Sequence, residues 1–301
     1  MDVEVRKPQV DELDRILRVL NEWQDDSGPL HLHPGDLGWY SLRGATATAA
    51  ATRVWSRGDT ALAIALIDGP QLLRFAIDPA LHGDETLARR IATDVGEPIK
   101  GVLDPGSATI EARGALALSE QLAIAGWLPD EAWTPLRLDL AEPVADLQGL
   151  VDVADVRVET VEPGRTDEWV AVHWSAFRGT PMPDERLRSF VAGWRAAAEG
   201  PFLDSGRILS LYNDGNVVAV AAVWSAGAGR PGLIEPMGVH QDHRGHGYGT
   251  MMTRAAATAL REMGSSSATV CAESSNVGAL STYLSAGFLA YPEVTDWRRD
   301  S

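Results

Sequence analysis

One stretch of the chain permits few folds: Leu233-Ile-Glu-Pro-Met-Gly-Val-His-Gln-Asp-His-Arg-Gly-His-Gly-Tyr-Gly-Thr250. Leu233 to Val239 is short and mostly apolar, as a buried strand is. Arg244 to Gly249 fits neither strand nor ordinary helix, because three glycines alternate with other residues. From Thr250 onward, Met251, Met252, Ala255, Ala256, Ala259, Leu260 and Met263 recur with helical period, and Gly264 supplies a stop. A glycine turn that feeds a helix aims unpaired N–H groups and the positive end of the helix dipole at one point. That combination is an anion site, and phosphate is its usual occupant.

The pattern excludes two common phosphate loops. A Walker loop needs Gly-Lys-Ser/Thr at its end, which is absent. The G-x-G-x-x-G fingerprint fails because Thr250 and Met252 stand where its third glycine belongs. What fits is R-x-x-G-x-G, as Arg244, Gly247 and Gly249. Downstream, Asn276-Val-Gly-Ala-Leu-Ser-Thr-Tyr-Leu-Ser-Ala-Gly-Phe288 has the form N-x-x-A-x-x-x-Y-x-x-x-G-F. With a strand between them, the two motifs resemble those of the GNAT superfamily of acyl-CoA-dependent N-acyltransferases. The resemblance implies acetyl-CoA as co-substrate, no metal, and a small-molecule amine as acceptor.

Several broad classes drop out on composition. At 301 residues, two domains of ordinary size are expected, each able to bury a core. A net charge of -16 argues against nucleic acid, since no basic surface would offset phosphate repulsion. Cys271 is the one cysteine, which rules out a disulfide within the chain and fits a reducing cytoplasm. No apolar run reaches the roughly 20 residues that span a bilayer, and Met1-Asp-Val-Glu-Val-Arg6 is not a signal peptide. Only Lys7 and Lys100 are lysines while arginine and alanine abound, which hints at a GC-rich bacterial genome. A monomer and a homodimer are equally compatible with these features.

In chain order, Val3 to Val5 reads as a strand and Leu13, Ile16, Leu17 and Leu20 as one helical face. Asp25 to Gly38 reads as a long loop, with His31 and His33 as loop histidines. Strands are expected at Ala61–Ile67 and Gln71–Ile77, a helix at Asp84–Val95, a short strand at Ile110–Ala112, a helix at Leu116–Ala125, and a strand at Thr134–Leu140. Acidic Ala141 to Asp155 reads as a linker. The order then begins again. Strand Val156–Thr160 precedes helices at Asp167–Phe177 and Asp184–Glu199. A hairpin follows around Asn213-Asp-Gly-Asn216, then the glycine loop and its helix, then strand Ala268–Ala272. Ile77 and Val239 end equivalent strands, and Gly126 and Gly287 close equivalent helices, both at an offset of about 160 residues. We therefore expect an α/β (α+β) protein of two tandem GNAT-like domains, 1–145 and 146–301, each a mixed, mostly antiparallel sheet flanked by helices. The tandem arrangement resembles mycothiol synthase and related actinobacterial acetyltransferases. In the first copy Asp84 and Glu85 replace the phosphate-binding glycines, so that copy is expected to be degenerate and to bind no CoA.

Acyl transfer to an amine needs a base, because amines are protonated at pH 7. Glu235, on the strand that enters the glycine loop, is the candidate base, with an arginine-paired structural acid as the alternative. Pro236 cannot donate a ladder bond and Gly238 adds freedom, so a bulge or splay is expected there. The resemblance implies that backbone groups of Met237, Gly238 and Val239 bind pantetheine and polarise the thioester. It also implies that Arg244, Gly245, His246, Gly247, Tyr248, Gly249 and Thr250 hold the pyrophosphate. Asn276 is implied to be both a helix cap and a pantetheine contact, and Tyr283 the acid that protonates the departing thiolate. Cys271 reads as inert core. Trp169, Trp174 and Trp194 read as packing residues beside the acceptor site. The resulting expectation is an acetyl-CoA-dependent N-acetyltransferase. Two rivals stand beside it: mycothiol synthase, acting on a cysteinyl-sugar amine, and a non-catalytic acyl-CoA sensor.

Overall fold

The computed structural model describes residues 2–145, 156–162, 165–180, 182–198 and 202–300. The first half runs β1 (Glu4–Arg6), α1 (Leu13–Trp23), α2 (Pro34–Tyr40), α3 (Ala45–Ala51), β2 (Thr52–Arg57), β3 (Thr60–Ile67), β4 (Leu72–Ile77), α4 (Glu85–Gly96), β5 (Ala108–Glu111), α5 (Leu116–Ile124) and β6 (Leu128–Asp139). The second runs β7 (Val156–Thr160), α6 (Asp167–Arg178), α7 (Asp184–Ala198), β8 (Gly206–Asn213), β9 (Asn216–Ser225), β10 (Gly232–Val239), α8 (Tyr248–Glu262), β11 (Ser267–Glu273), α9 (Val277–Ser285), β12 (Leu289–Ala290) and β13 (Val294–Arg299). Most of the expected linker, residues 146–155, lies outside the described residues.

All the strands join one sheet in the order β1-β2-β3-β4-β5-β13-β6-β11-β10-β9-β8-β7, with β12 beside β6. Among the described strands two neighbouring pairs are parallel, β4 with β5 and β10 with β11. The halves exchange their last strands. β6, which ends the first half, pairs antiparallel with β11 from Trp133 opposite Glu273 to Asp139 opposite Ser267. β13, which ends the second, pairs antiparallel with β5. Unsatisfied strand edges are costly, and here each half completes the other's sheet.

Local chemistry explains most elements. Asp214 (φ 48°) and Gly215 (φ 80°) both take positive φ in the β8–β9 turn, as a two-residue turn matching strand twist requires. β3 and β9 are nearly continuous apolar runs whose middles are wholly buried.

One expectation fails. The segment Asp25 to Gly38 is not all loop, because α2 begins at Pro34. His33 caps it, its Nδ1 accepting from Gly35 N–H at 2.9 Å, while the Asp36 carboxylate accepts from His33 N–H at 2.6 Å. Proline is at home in a first helical turn. Gly35 and Gly38, which read as loop signals, are there for close packing. A Cβ on either would stand 2.5 Å from the Trp224 side chain of the other half. Farther on, Trp39 joins Trp169 and Trp194 in an aromatic cluster between the halves.

Candidate active site

β10 and β11 are paired only at Gly232 with Ala268 and Leu233 with Thr269. Beyond Leu233 the ladder to β11 stops. Against β9, the register of β10 shifts between Ile234 and Met237. Pro236 has no N–H to give, and Trp224 Nε1 donates to the Glu235 carbonyl at 2.7 Å, fixing the irregularity. The expected splay is therefore present. It opens a cavity of about 370 Å³ whose walls include Glu235, Met237, Cys271, Asn276 and Tyr283.

On the other side of Met237 lies the glycine turn. Gly245 and Gly247 have φ of 79° and 80°, a left-handed conformation that side chains resist. Gly247 caps α8, and no side chain closes onto its first turn. Met251 N–H is the first to fold back, onto Gly247 O at 3.1 Å. The preceding N–H groups are those that a helix start leaves without an intrahelical partner, and they suit an anion. A Cβ on Gly249 would stand 3.0 Å from Thr282 Cγ2, so the glycine lets α9 approach. Between this turn and α9 runs a second cavity, of about 600 Å³, walled by Met237, Gly238, Val239, Arg244, Gly245 and Gly247 to Thr250. The two cavities meet at Phe177, Met237, Asn276 and Ala279. An elongated ligand with an anionic head at α8 and a reactive end at Met237 fits this geometry.

The expected cofactor residues divide as follows. Asn276 caps α9, accepting from Ala279 N–H at 3.1 Å, and also stands at the junction of the cavities. Arg244 borders the groove, with Nη2 donating to Ala176 O at 2.7 Å. His246 is exposed, stacks on Tyr248 and does not border the groove. Trp169 and Trp194 are buried in the aromatic cluster, away from both cavities. Cys271 is not simply core: it faces the smaller cavity, where burial pushes its thiol up to about 12.

Glu235 and Tyr283 border the same cavity. Burial pushes the Glu235 carboxyl above its usual range, and neighbouring Arg74 pulls the other way. Burial also raises the Tyr283 phenol, with the Glu235 and Cys271 charges adding to it, so it keeps its proton. Residues from the first half complete the wall: Arg74, Glu111, Arg113 and Trp133. Arg74 Nη2 reaches Glu235 Oε1 at 3.3 Å. The same guanidinium meets Asp36 at 3.2 Å, Asp68 at 3.1 Å and Glu111 at 3.7 Å. Arg113 bridges Glu111 at 3.6 Å and Asp296 at 2.9 Å. Sequence reasoning missed this set. One signal could have found Arg74: it lies 161 residues before Glu235, close to the repeat offset.

Comparison with known proteins agrees with this geometry. Residues 167–288 match the model of the acetyltransferase (GNAT) family. The second half is a GNAT acetyltransferase domain. Among curated proteins, the chain is 32% identical over 139 residues to a mycothiol acetyltransferase of Sanguibacter keddieii. That match takes in 44% of this chain and 43% of the relative. Among solved structures, a tandem GNAT protein from the clavulanic acid biosynthesis pathway aligns over 99% of this chain and 98% of its own, with TM-score 0.60 and 17% identity. A GCN5-related N-acetyltransferase from Sphaerobacter thermophilus aligns over 99% and 95%, with TM-score 0.58 and 18% identity. At such identities these two likenesses show the fold alone, and that fold is the tandem GNAT one.

The matched span takes in the glycine turn, the splayed β10 and Asn276. Among the described residues no helix is long and apolar enough to cross a membrane. Among them, too, no group of three or more His, Cys, Asp or Glu side chains is placed to hold a metal ion.

Proposed function

We propose that this chain moves the acetyl group of acetyl-CoA to a primary amine of a small molecule by direct attack. The observation that carries the reading is the junction of the two cavities at Met237, with Glu235 and Tyr283 on the acceptor side of it. Acetyl-CoA occupies the larger cavity, its pyrophosphate on the N–H groups at the start of α8 and its pantetheine along Met237 to Val239. The amine enters the smaller one as an ammonium ion and gives a proton to Glu235, directly or through a water. Its nitrogen lone pair then forms the amide C–N bond as the thioester C–S bond breaks. The leaving thiolate takes the Tyr283 proton, and the second proton lost by the nitrogen as the amide forms restores the phenol by way of water. A raised carboxyl pKa makes Glu235 a better base, provided it is ionised at the working pH.

The likeness to mycothiol acetyltransferase favours a second reading of the acceptor, a cysteinyl-sugar amine. The test is turnover of acetyl-CoA with a panel of primary amines that includes such a compound, read as thiol release and as acetylated product by mass spectrometry. Turnover of one amine far above the rest would name the acceptor class. Tight acetyl-CoA binding with no turnover across the panel would overturn the enzyme reading in favour of a sensor.

A further inference from the structure

The acceptor cavity is built by both halves, although one of them carries a cofactor groove. Glu235 is part of a charged cluster in which Arg74 and Arg113 stand among five carboxylates, Asp36, Asp68, Glu111, Glu235 and Asp296, with Arg43 at its edge 3.9 Å from Asp68. Arg74 stands at the centre of it. Its Nε is taken by Asp68 and its Nη1 by Asp36 and Glu111, which leaves Nη2 aimed at Glu235 Oε1. Three carboxylates therefore hold the guanidinium, and the guanidinium holds the fourth. The Arg74 side chain is 17% exposed, whereas 31% of Glu235 remains open. Among the described residues no hydrogen bond reaches Glu235 Oε2.

We propose that Arg74, supplied by the half that lacks a cofactor groove, is a positioning residue for acyl transfer: it binds one oxygen of Glu235 and leaves the other free for the acceptor amine. The inference rests on Glu235 being the base. It gives the first half a part in catalysis, since β4, α2, β5 and the Asp68 turn together fix the angle of a side chain on β10. A planar guanidinium suits this task because it can satisfy several carboxylates at fixed angles, which a lysine ammonium does less well.

The groups facing Glu235 come from several elements. Arg74 on β4 and Arg113 beyond β5 favour its ionised form, whereas Glu111 on β5 and Asp68 beside β4 oppose it. Tyr283 on α9 and Cys271 on β11 border the same cavity and stay protonated. Asp36 on α2 shares Arg74 with Glu235 and acts on it as a like charge, whereas Asp296 on β13 is held by Arg113. Removing Arg74 must therefore raise the Glu235 pKa, and removing the Glu111 charge must lower it.

The experiment compares pH profiles of kcat/KM for the full chain and four variants, with folding checked by circular dichroism and acetyl-CoA affinity by calorimetry. In Arg74→Gln the acid limb should move up by about one pH unit, the lower end of what one charge within 4–6 Å does. It should also carry a roughly tenfold or larger loss of kcat. Arg74→Lys should bring the limb back towards the wild-type position. Should Arg74→Gln fail to fold, Glu111→Gln still tests the claim, because its limb should move down. A limb that stays in place in folded Arg74→Gln, or in Glu111→Gln where Arg74→Gln does not fold, would overturn the proposal. If Glu235→Gln itself kept the limb, the assignment of the base would fail instead, so the two failures are distinguishable.

Discussion

The two halves begin their fourth-strand helices in opposite ways. Asp84 precedes α4, and its Oδ1 accepts from Thr86 N–H at 2.9 Å and Leu87 N–H at 3.0 Å. Gly247 precedes α8 and offers no side chain. One carboxylate thus occupies the donors that the other helix keeps for a ligand. The neighbouring helix differs as well. Ala117 N–H at the start of α5 donates to His82 O at 3.3 Å, which seats that helix against the turn, whereas α9 stands off behind a cavity of about 600 Å³. Even the sheet follows suit: β4 and β5 stay paired through Arg74 opposite Glu111, while β10 and β11 part after Leu233. At equivalent places the two halves thus differ in a capped helix start and a longer parallel ladder.

The sharpest way to break this comparison is Gly247→Glu. It places a side chain and a negative charge at the helix start, in a backbone conformation that resists a Cβ. Calorimetric titration of the wild type should show one acetyl-CoA per chain, and the folded variant none. Two equivalent sites in the wild type would mean that the Asp84 cap does not close the first half.

Next in size is Glu235→Gln. It should lower kcat by roughly 10²-fold or more with acetyl-CoA affinity retained. In the wild type the rate should fall as pH drops through the Glu235 pKa, because the protonated acid cannot accept a proton. Burial places that limb above the ordinary carboxylate range. An unchanged kcat and an intact limb would reassign the base.

Tyr283→Phe should cost a similar or smaller factor in kcat. Because burial raises the phenol further, no alkaline limb from Tyr283 is expected in the ordinary range below its usual value of about 10. A limb near pH 8 that disappeared in the variant would contradict this. The smallest effect belongs to Asp84→Ala, which should destabilise the chain by about 1 kcal/mol, the usual cost of a lost helix cap. It should leave CoA stoichiometry at one. A new site in this variant would show that the cap alone had closed the first groove.

Much of the second half is legible in the sequence for a local reason. The glycines of the turn, the N-cap at Asn276 and the interruption at Pro236 act through φ, N–H groups and side chains within a few residues of each other. The helix period from Met251 to Leu260 and the Asp214-Gly215 turn are local in the same sense. Glycine was the ambiguous signal. At Gly245 and Gly247 it marks positive φ, whereas at Gly35 and Gly38 it marks an approach to Trp224, nearly two hundred residues away in sequence. Only the folded chain tells these uses apart, which is why the sequence alone does not show α2.

By itself, then, the sequence determined the GNAT groove, its strand and helices, and the repeat that frames them. The tertiary structure decided which groups surround Glu235. Arg74, Glu111 and Arg113 carry no motif, and they share a cavity with Glu235 because β6 and β13 change places and bring the two sheets together at the splay. Backbone geometry is written over spans of a few residues. Charge pairing between halves depends instead on strand register and on the burial that makes each unpaired charge costly, and both arise only when the whole sheet has formed.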